Sequence, residues 1–317
     1  MKKRYDCVVC GSCVVDILVR PVPLDEPIGG GKLVRTEPIE LTTGGIVSNA
    51  GVAMARLGMN IAAFTWTGDD IWAPIIRDKF AAEGLDTSAM SARAGLATST
   101  TAVLIDAAGE RSFMHCVGAT KQMDRAAYLD KLDLFAQSRM MLLGYYPLMP
   151  NLLNDLPQVL AAIRDTGCMT ALDAAGDGGD MQPLDQILPH LDIYVPSHNE
   201  AEHQTGESDP QRIINRYREA GAPGLLGVKL GADGALLSPA ANQFIEIAAV
   251  TPPGPVIDTT GAGDCFYGGL LTGLMRNMPL HDAGRLAAAT GACCVTGLGA
   301  TAGLRDLPAT CHLAGLP

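Results

Sequence analysis

Asp258-Thr259-Thr260-Gly261-Ala262-Gly263-Asp264, continued by Cys265-Phe266-Tyr267-Gly268-Gly269-Leu270-Leu271, is the stretch around which this 317-residue chain is organised. The apolar run at 255–257 before it predicts the end of a strand. Thr259 and Thr260 are residue types preferred at a helix N-cap. Large apolar side chains then recur at the spacing of a buried helical face, at Phe266, Tyr267, Leu270, Leu271 and Leu274. The stretch therefore predicts a strand, a tight glycine turn and a helix.

The glycine turn predicts an anion site. Gly261 and Gly263 can adopt positive φ, and no Cβ covers their N–H groups. The first turn of a helix adds free N–H groups and the positive end of the helix dipole. Asp264 falls beside that spot, where a carboxylate suits a base that takes a proton next to a phosphoryl group. A structural alternative stays open on these residues alone, because an acidic residue in a first turn also complements the dipole.

The composition limits the classes of partner. Hydrophobic residues make up 48% of the chain, and its net charge is −11 with a pI near 4.9. An acidic balance argues against nucleic acid or an anionic membrane as a partner, since both bind basic patches. Nucleotides are still compatible, because a few local amides and cations bind them. No apolar stretch is long enough to span a bilayer.

The nine cysteines indicate a reducing compartment. Their number is odd, they are scattered through apolar segments, and residues 1–4 do not begin a signal peptide. These features predict a cytoplasmic protein. Cys7, Cys10 and Cys13 have metal-like spacing but no second cluster to complete four ligands, so we expect them to be small buried hydrophobic residues.

Strands alternate with helices along most of the chain, which predicts an α/β fold with a mostly parallel sheet and helices on both faces. The predicted strands are 5–15, with Asp16 just beyond it, 60–67, 140–146, 169–173, 191–196 and 225–230.

Two segments interrupt this alternation. Residues 20–43 are rich in proline and glycine and predict short strands and turns. Their Gly29-Gly30-Gly31-Lys32 run lacks the spacing of a phosphate-binding loop, so a turn is the better interpretation. Residues 98–115 predict a hairpin with its turn at 107–110. We expect both segments to cover one edge or mouth of the sheet.

Ligands of parallel sheets bind beyond the carboxyl ends of the strands. Gly44 and Gly45 allow close approach of backbone to a ligand, and Asn49 offers both a donor and an acceptor. We expect a set of residues that follow predicted strands or begin helices to converge at this edge: Asp16, Gly44, Asp173, Ser197, Gly231 and Asp264.

Five motifs together resemble the PfkB (ribokinase-like) family of carbohydrate and nucleoside kinases. Gly44-Gly45-x-x-x-Asn49, followed by a helix that ends in Arg56-Leu57-Gly58, is similar to the family's N-terminal signature. Residues 258–264 are similar to its C-terminal signature. Between them, 68–70, 200–206 and 228–234 fit in the same order, so the resemblance runs from about residue 5 to about residue 300.

The resemblance implies one three-layer kinase domain over 1–317, with a small β lid from about 17–43 and 98–116. It implies ATP and Mg²⁺ as cofactors and Asp264 as the general base. The other roles it implies are an anion hole of backbone amides (Gly261, Ala262, Gly263), sugar-hydroxyl binding (Asp16, Gly44, Gly45, Asn49) and a nucleotide site (Lys229, Gly231, Gly234).

The resemblance also implies two cation sites. Glu200 matches a residue that helps to hold Mg²⁺ through water. Asp258 and Thr260 match positions that bind a monovalent cation, usually K⁺, in some relatives. The family often carries Asn where this chain has Ser197, and the shorter side chain weakens direct contact with the phosphates or routes it through water. A structural alternative for Glu200 is an exposed residue of a helix first turn.

We therefore expect an ATP-dependent kinase acting on a sugar hydroxyl. A nucleoside acceptor is the nearest alternative, although the aromatic content of 5% offers few walls for a base. Met114, His115 and Tyr145 are candidates for selecting the acceptor. A non-catalytic sensor on the same fold has no need of Asp264, and a dinucleotide-dependent oxidoreductase needs a glycine motif that 11–16 lack. Because lids of this kind often pair, we also expect a homodimer.

Overall fold

The computed structural model describes residues 3–27 and 29–317; Met1, Lys2 and position 28 of the expected lid segment lie outside the described residues. The strands, in chain order, are β1 Tyr5–Gly11, β2 Val14–Val19, β3 Glu40–Gly44, β4 Ile61–Phe64, β5 Trp66–Gly68, β6 Ser91–Arg93, β7 Thr100–Ile105, β8 Arg111–Cys116, β9 Ser138–Gly144, β10 Met169–Asp173, β11 Ile193–Tyr194, β12 Leu225–Lys229, β13 Ala235–Ser238 and β14 Ile245–Ile247.

The helices are α1 Ile46–Arg56, α2 Trp72–Ala82, α3 Arg125–Leu129, α4 Leu132–Ala136, α5 Leu156–Asp165, α6 Met181–Ile187, α7 His198–Thr205, α8 Pro210–Glu219, α9 Ala262–Met275, α10 Leu280–Cys294 and α11 Leu307–Ala314. Short 3₁₀ turns lie at Ala119–Gln122, Tyr146–Leu148, Leu153–Asp155, Leu188–His190 and Gly231–Asp233. In the part of the chain described, we find no helix with the length and apolar character needed to cross a membrane.

The central sheet has eight strands in the order β14-β13-β12-β11-β10-β9-β1-β4. All pairs from β4 to β12 are parallel, and β13 and β14 continue the sheet in antiparallel pairing. Parallel strands require crossover connections, and the intervening helices supply them. The α/β prediction with a mostly parallel sheet is confirmed.

Each face of the central sheet carries its own hydrophobic core. In β1, Cys7 and Val9 face the core that contains α1, α9 and α10, whereas Val8 and Cys10 face the core that contains α5 and α8. This alternation follows from the two-residue period of a strand and explains why β1 is apolar throughout. The prediction that Cys7, Cys10 and Cys13 are buried is confirmed, since each is at most 1% exposed.

A second sheet, with strand order β3-β2-β7-β8, forms beside the central one. The hairpin predicted at 98–115 is confirmed as β7 and β8, with Ile105 paired to Arg111. The excursion at 20–43 is only partly as predicted: it ends in β3, but its other described residues after β2 form no strand. Proline provides no N–H for a ladder, and this segment contains four prolines.

The single first strand predicted at 5–15 is wrong. β1 ends at Gly11, and β2 begins at Val14 in the second sheet, so Asp16 lies within β2 rather than just beyond β1. Gly11 makes the break possible, because its φ is 110° and a Cβ there would overlap the carbonyl oxygen of Gly144.

The segment before the glycine turn is not a strand, contrary to expectation. The N–H groups of Ile257 and Asp258 donate to the carbonyl of Val295, at 2.8 and 3.2 Å, so the end of α10 rather than a neighbouring strand holds this segment. The N-cap of α9 is Gly261, with φ 76°, and not a threonine. The carboxylate of Asp258 accepts the N–H of Thr260 instead, which delays the start of the helix.

Helices α9 and α10 pack closely through glycines. A Cβ on Gly269 would lie 2.8 Å from the Cα of Ala287, and one on Gly273 would lie 2.6 Å from the Cα of Ala283. These positions, four residues apart, lie on one face of α9. The close approach fixes the helix whose first turn carries Asp264.

We predict that Gly269→Ala lowers the free energy of unfolding by about 1–3 kcal/mol, because the new methyl group overpacks the contact with α10. An unhindered Gly→Ala change instead stabilises a protein by about 0.4–1 kcal/mol. Gly254→Ala is the control, since only the Thr296 side chain lies within 4 Å of the added Cβ, no closer than 3.8 Å. Urea denaturation of both variants measures the difference, and a stabilised Gly269→Ala protein would refute close packing here.

Candidate active site

Two cavities lie at the carboxyl edge of the central sheet. The first, here the lid cavity, has a volume of about 210 Å³ and is lined on the second sheet and α1 by residues that include Asp16, Gly44, Gly45, Asn49 and Arg111. The second, here the strand-end cavity, has a volume of about 390 Å³ and is lined by residues that include Asp173, Ser197, Glu200, Lys229, Gly263 and Asp264. Tyr145 lines both cavities, so they adjoin.

Asp264 lies in the first turn of α9 and is 7% exposed. Its Oδ2 accepts two hydrogen bonds of 2.7 Å, one from Asn49 Nδ2 and one from the Tyr145 hydroxyl. Burial raises the pKa of Asp264, while these hydrogen bonds and the nearby Lys229 oppose the shift. The carboxylate is therefore fixed in orientation and more basic than an exposed aspartate.

Tyr145 takes the position directly after β9 in a left-handed conformation, with φ 62°. Such a conformation is uncommon outside glycine and marks a constrained position. Its N–H donates to the carbonyl of Asp173 at 2.9 Å. Sequence reasoning named Tyr145 only as a candidate for selecting the acceptor and missed its bond to Asp264. The available signal was its position at the end of a buried strand.

The glycine turn offers free amides. In residues 3–27 and 29–317, no acceptor takes the N–H of Gly261, Gly263 or Asp264, whereas the N–H of Ala262 donates to Thr259 O at 3.2 Å. Of the three amides expected to form the anion hole, those of Gly261 and Gly263 are free, whereas that of Ala262 is used within the turn. The amide of Asp264 is also free. Gly261 must be glycine here: its φ is 76°, and a Cβ would overlap that of Ala300.

A buried ion pair lies next to the turn. Lys229 Nζ is 2.9 Å from Asp173 Oδ1, and these side chains are 10% and 2% exposed. Burial lowers the pKa of Lys229, but Asp173 and the neighbouring acids outweigh it and hold that pKa above its usual value. A Cβ on Gly263 would lie 3.5 Å from Lys229 Nζ. A charged ammonium therefore faces the glycine turn.

Ser197 and Glu200 form a capping box at the start of α7. The N–H of Ser197 donates to Glu200 Oε2 at 2.7 Å, and the N–H of Glu200 donates to Ser197 Oγ at 3.5 Å. This gives a physical reason for serine at the position where asparagine was expected. Glu200 is half-buried rather than exposed, and its other carboxylate oxygen accepts no hydrogen bond from the described residues.

Gly231 and Gly234 were both assigned, with Lys229, to the nucleotide site, but only Gly231 lines the strand-end cavity. Gly231 lines the strand-end cavity with φ 62°. Gly234 is not among the residues that line that cavity. It has φ 94°, and a Cβ there would overlap the carbonyl oxygen of Ile247, so the close approach of β14 explains this glycine.

The lid cavity brings together the four residues assigned to hydroxyl binding: Asp16, Gly44, Gly45 and Asn49. Burial raises the pKa of Asp16 to about 6; Asp258 adds to the shift and a hydrogen bond with Thr101 opposes it. A Cβ on Gly44 would overlap Asp16 Oδ2. Asn49 is 2% exposed, and its Oδ1 has no hydrogen-bond partner among the described residues, which leaves it free to accept a ligand hydroxyl.

Asp258 and Thr260, expected to bind a monovalent cation, contact an arginine. Arg111 Nη1 donates to Asp258 Oδ1 and, at 2.8 Å, to Thr260 Oγ1. Asp258 also accepts the N–H groups of Thr260 and Gly299, each at 2.8 Å. Burial raises the pKa of Asp258, but these bonds outweigh it and hold that pKa below its usual value. Sequence reasoning did not identify Arg111, which lies 147 residues before Asp258.

The described residues do not form a cluster of side chains ready to bind a metal ion. Within the described ranges, we find no group of three or more His, Cys, Asp or Glu side chains arranged to hold one. A divalent cation at the strand-end cavity would therefore need oxygen ligands from a phosphate as well as Glu200. Mg²⁺ commonly binds in this way, through one or two carboxylates, water and substrate phosphates.

Comparison with known proteins identifies relatives along nearly the whole chain. The family described as pfkB family carbohydrate kinase matches residues 6–307. The chain is 26% identical over 304 residues to ribokinase from Haemophilus influenzae, covering 94% of each protein. It is 31% identical over 281 residues to aminoimidazole riboside kinase from Salmonella typhimurium, covering 82% of this chain and 84% of that one.

Solved structures show the same fold. Arabidopsis thaliana ribokinase complexed with ribose and ATP superposes with a TM-score of 0.86 at 22% identity, covering 99% of both chains. A putative ribokinase II from E. coli in complex with ATP and Mg²⁺ superposes with a TM-score of 0.81 at 22% identity, covering 98% of this chain and 99% of that one. The ribokinase-like fold, the central sheet and the family match agree, and the chain belongs to the pfkB family of carbohydrate kinases.

Proposed function

We propose that this protein is an ATP-dependent kinase that transfers the γ-phosphoryl group to a hydroxyl of a small sugar. The observation that carries the proposal is the position of Asp264. It lines the strand-end cavity beside the free amides of Gly261 and Gly263, and its Oδ2 accepts hydrogen bonds from two residues that line the lid cavity, Asn49 and Tyr145. A base and an anion site side by side are the two elements that phosphoryl transfer to a hydroxyl requires.

The lid cavity supports a small acceptor. Its volume of about 210 Å³ is below the roughly 300–1,000 Å³ that is typical of pockets for drug-sized ligands. Asp16 and the unpartnered Oδ1 of Asn49 supply hydrogen-bond acceptors for sugar hydroxyls. The bare backbone at Gly44 and Gly45 lets the ligand approach closely.

The strand-end cavity supports the phosphates of ATP. The free N–H groups of Gly261, Gly263 and Asp264 and the ammonium of Lys229 provide positive potential at one end of it. Glu200 is the carboxylate positioned to help hold Mg²⁺. Bound Mg²⁺ supplies neutralisation of the negative charge that shifts during transfer. ATP and Mg²⁺ occur with structural neighbours of the same fold.

Asp264 acts as the general base. Asn49 and Tyr145 hold its Oδ2, so the second oxygen is left to accept the proton of the acceptor hydroxyl. The hydroxyl oxygen then forms the bond to phosphorus, and the bond to the leaving ADP oxygen breaks. The raised pKa of Asp264 makes it a better proton acceptor than an exposed aspartate.

A nucleoside acceptor is a second candidate. Phe113 lines the lid cavity and offers an aromatic wall, and the relative from Salmonella typhimurium is named as a riboside kinase. Against it stands the small volume of the cavity. A coupled ADP-release assay over pentoses, hexoses, sugar acids and nucleosides decides between the two, and turnover of none would favour a non-catalytic sensor.

We place the enzyme in the reducing cytoplasm. All nine cysteines are free thiols, and eight of them are buried, which fits a compartment in which disulfides do not form.

We predict that Asp264→Asn lowers kcat for the best acceptor of that panel by at least about 10²-fold, since a positioned base contributes roughly 10²–10⁴-fold. Asp282→Asn is the matched control, because Asp282 also lies in a helix first turn, that of α10. Steady-state kinetics and thermal unfolding distinguish a general base from a residue that only complements the helix dipole. If both variants lost only stability and kept kcat, Asp264 would be a helix-dipole residue and the proposed role would be wrong.

We predict that acceptor affinity weakens below about pH 6, the raised pKa of Asp16. The ionised carboxylate can accept hydrogen bonds at both oxygens, whereas the protonated form, which dominates below that pKa, has less capacity to accept them. Calorimetric titration of the acceptor should show affinity falling by up to about tenfold per pH unit below the pKa. In Asp16→Asn the affinity should be lower and should not change through this range, and a flat wild-type profile would contradict the assignment.

We propose a homodimer that pairs through the second sheet. Met114 of β8 and Leu41 of β3 are 60% and 48% exposed and lie on the same face of this sheet, which leaves apolar area on both of its edge strands. Size-exclusion chromatography with light scattering should give twice the mass of 33.1 kDa. Met114→Glu should shift the population to monomer, and Ile71→Glu, which changes an exposed apolar residue outside the second sheet, should not. A monomeric wild-type protein would refute the pairing.

A further inference from the structure

Arg111 connects the second sheet to the glycine turn. It is the first residue of β8 and pairs with Ile105 across the hairpin. Its guanidinium contacts the side chains of Asp258 and Thr260, and Nη2 lies 3.5 Å from the carbonyl oxygen of Ile257. The side chains of Arg111 and Asp258 are 18% and 5% exposed, so this ion pair is largely removed from water.

The surroundings of Asp258 leave no place for a second cation. Three donors already approach its carboxylate: the Arg111 guanidinium and the Thr260 N–H at Oδ1, and the Gly299 N–H at Oδ2. The hydroxyl oxygen of Thr260 also accepts from Arg111. A K⁺ ion bound by the same oxygens would lie against the guanidinium and would be repelled by it. The residues therefore do not fit the monovalent cation site that the family resemblance implied.

We propose that Arg111 supplies the fixed positive charge of the glycine turn in place of a monovalent cation. The proposal rests on the proposed kinase function. Arg111 is a positioning residue: its contacts with Asp258 and Thr260 hold the segment that leads directly into Gly261, whose N–H has no acceptor among the described residues. The guanidinium is part of the chain, so the turn is set without an ion from solution.

The position of Arg111 on the hairpin has a second consequence. The same side chain that sets the turn belongs to the sheet lining the acceptor cavity. The geometry of the phosphate site therefore depends on the second sheet being in place over the acceptor. An ion from solution would provide no such link.

The wild-type protein provides the first test, with two readouts. Initial rates with the best acceptor should be equal in KCl and in tetramethylammonium chloride of the same concentration. The thermal unfolding midpoint should also be equal in the two salts, because an occupied site binds no K⁺ and gains no stability from it. Activation or selective stabilisation of the wild-type protein by K⁺ would overturn the proposal.

Removing the guanidinium provides the second test. In tetramethylammonium chloride, Arg111→Ala should lower kcat by about 10- to 100-fold, the scale of a misplaced catalytic group. The variant leaves a buried carboxylate without its partner, so a cation from solution should now bind there. KCl, or millimolar guanidinium, which is well below denaturing concentrations, should restore at least about a third of the lost activity, and KCl should raise the unfolding midpoint.

Two further variants serve as controls. Arg111→Lys keeps the charge but not the fork of donors, so it should have intermediate kcat and no response to K⁺. Arg20→Ala removes another arginine near the second sheet, one that pairs with Glu37 and Glu40 and not with the glycine turn. It should keep wild-type kcat and no response to K⁺.

Other outcomes overturn the proposal. An Arg111→Ala protein with wild-type kcat in tetramethylammonium chloride would do so, as would one whose loss neither cation restores. A raised KM for the acceptor with unchanged kcat would show that Arg111 serves the substrate instead. If Arg111→Ala did not fold, the wild-type salt comparison and Arg111→Lys would still decide. If no acceptor were turned over, the kinase function would fail, while the unfolding midpoints would still test Arg111.

Discussion

The carboxylate of Asp264, buried at the start of α9 and held by Asn49 and Tyr145, is the constraint on which the rest of the structure depends. An ionised group is costly to bury unless hydrogen bonds compensate it. Here the compensation comes from a helix and a strand end that are more than 100 residues away in sequence. The two sheets and the close pairing of α9 with α10 bring these elements together. Tertiary packing therefore brings together the three side chains of Asp264, Asn49 and Tyr145, which are far apart in the sequence.

The sequence predicted the elements with strong local signals. Apolar strands alternating with helices gave the central sheet, and the turn residues at 107–110 gave the hairpin of β7 and β8. It failed where a long-range contact decides the local conformation. β1 ends at Gly11, where the chain passes close to Gly144, and the N–H groups of Ile257 and Asp258 bond to the end of α10 instead of to a strand. Neither contact can be predicted from the residues next to it in the sequence.

The candidate site shows the same division. Residues in motifs, such as Gly44, Asn49, Lys229 and Asp264, were identified because they match the motifs of the family that the chain resembles, and they line the two cavities. Tyr145 and Arg111 were not assigned their contacts, because each acts through a partner more than 100 residues distant. A motif also does not show which of its residues bind a ligand and which serve the fold. The N–H of Ala262 donates to Thr259 within the turn, and Gly234 allows the close approach of β14. Backbone geometry, rather than residue type, distinguishes the residues that are available to a ligand from those that the fold itself uses.

The central claim is that Asp264 lies between an acceptor hydroxyl and a phosphate held by the glycine turn. A crystal structure with the acceptor and a non-hydrolysable ATP analogue tests it most directly. The account predicts the Asp264 carboxylate within roughly 2.6–3.2 Å of one acceptor hydroxyl, with the terminal phosphate on the amides of Gly261 and Gly263. An acceptor whose hydroxyls all lie beyond contact with Asp264, or a terminal phosphate bound away from that turn, would contradict it.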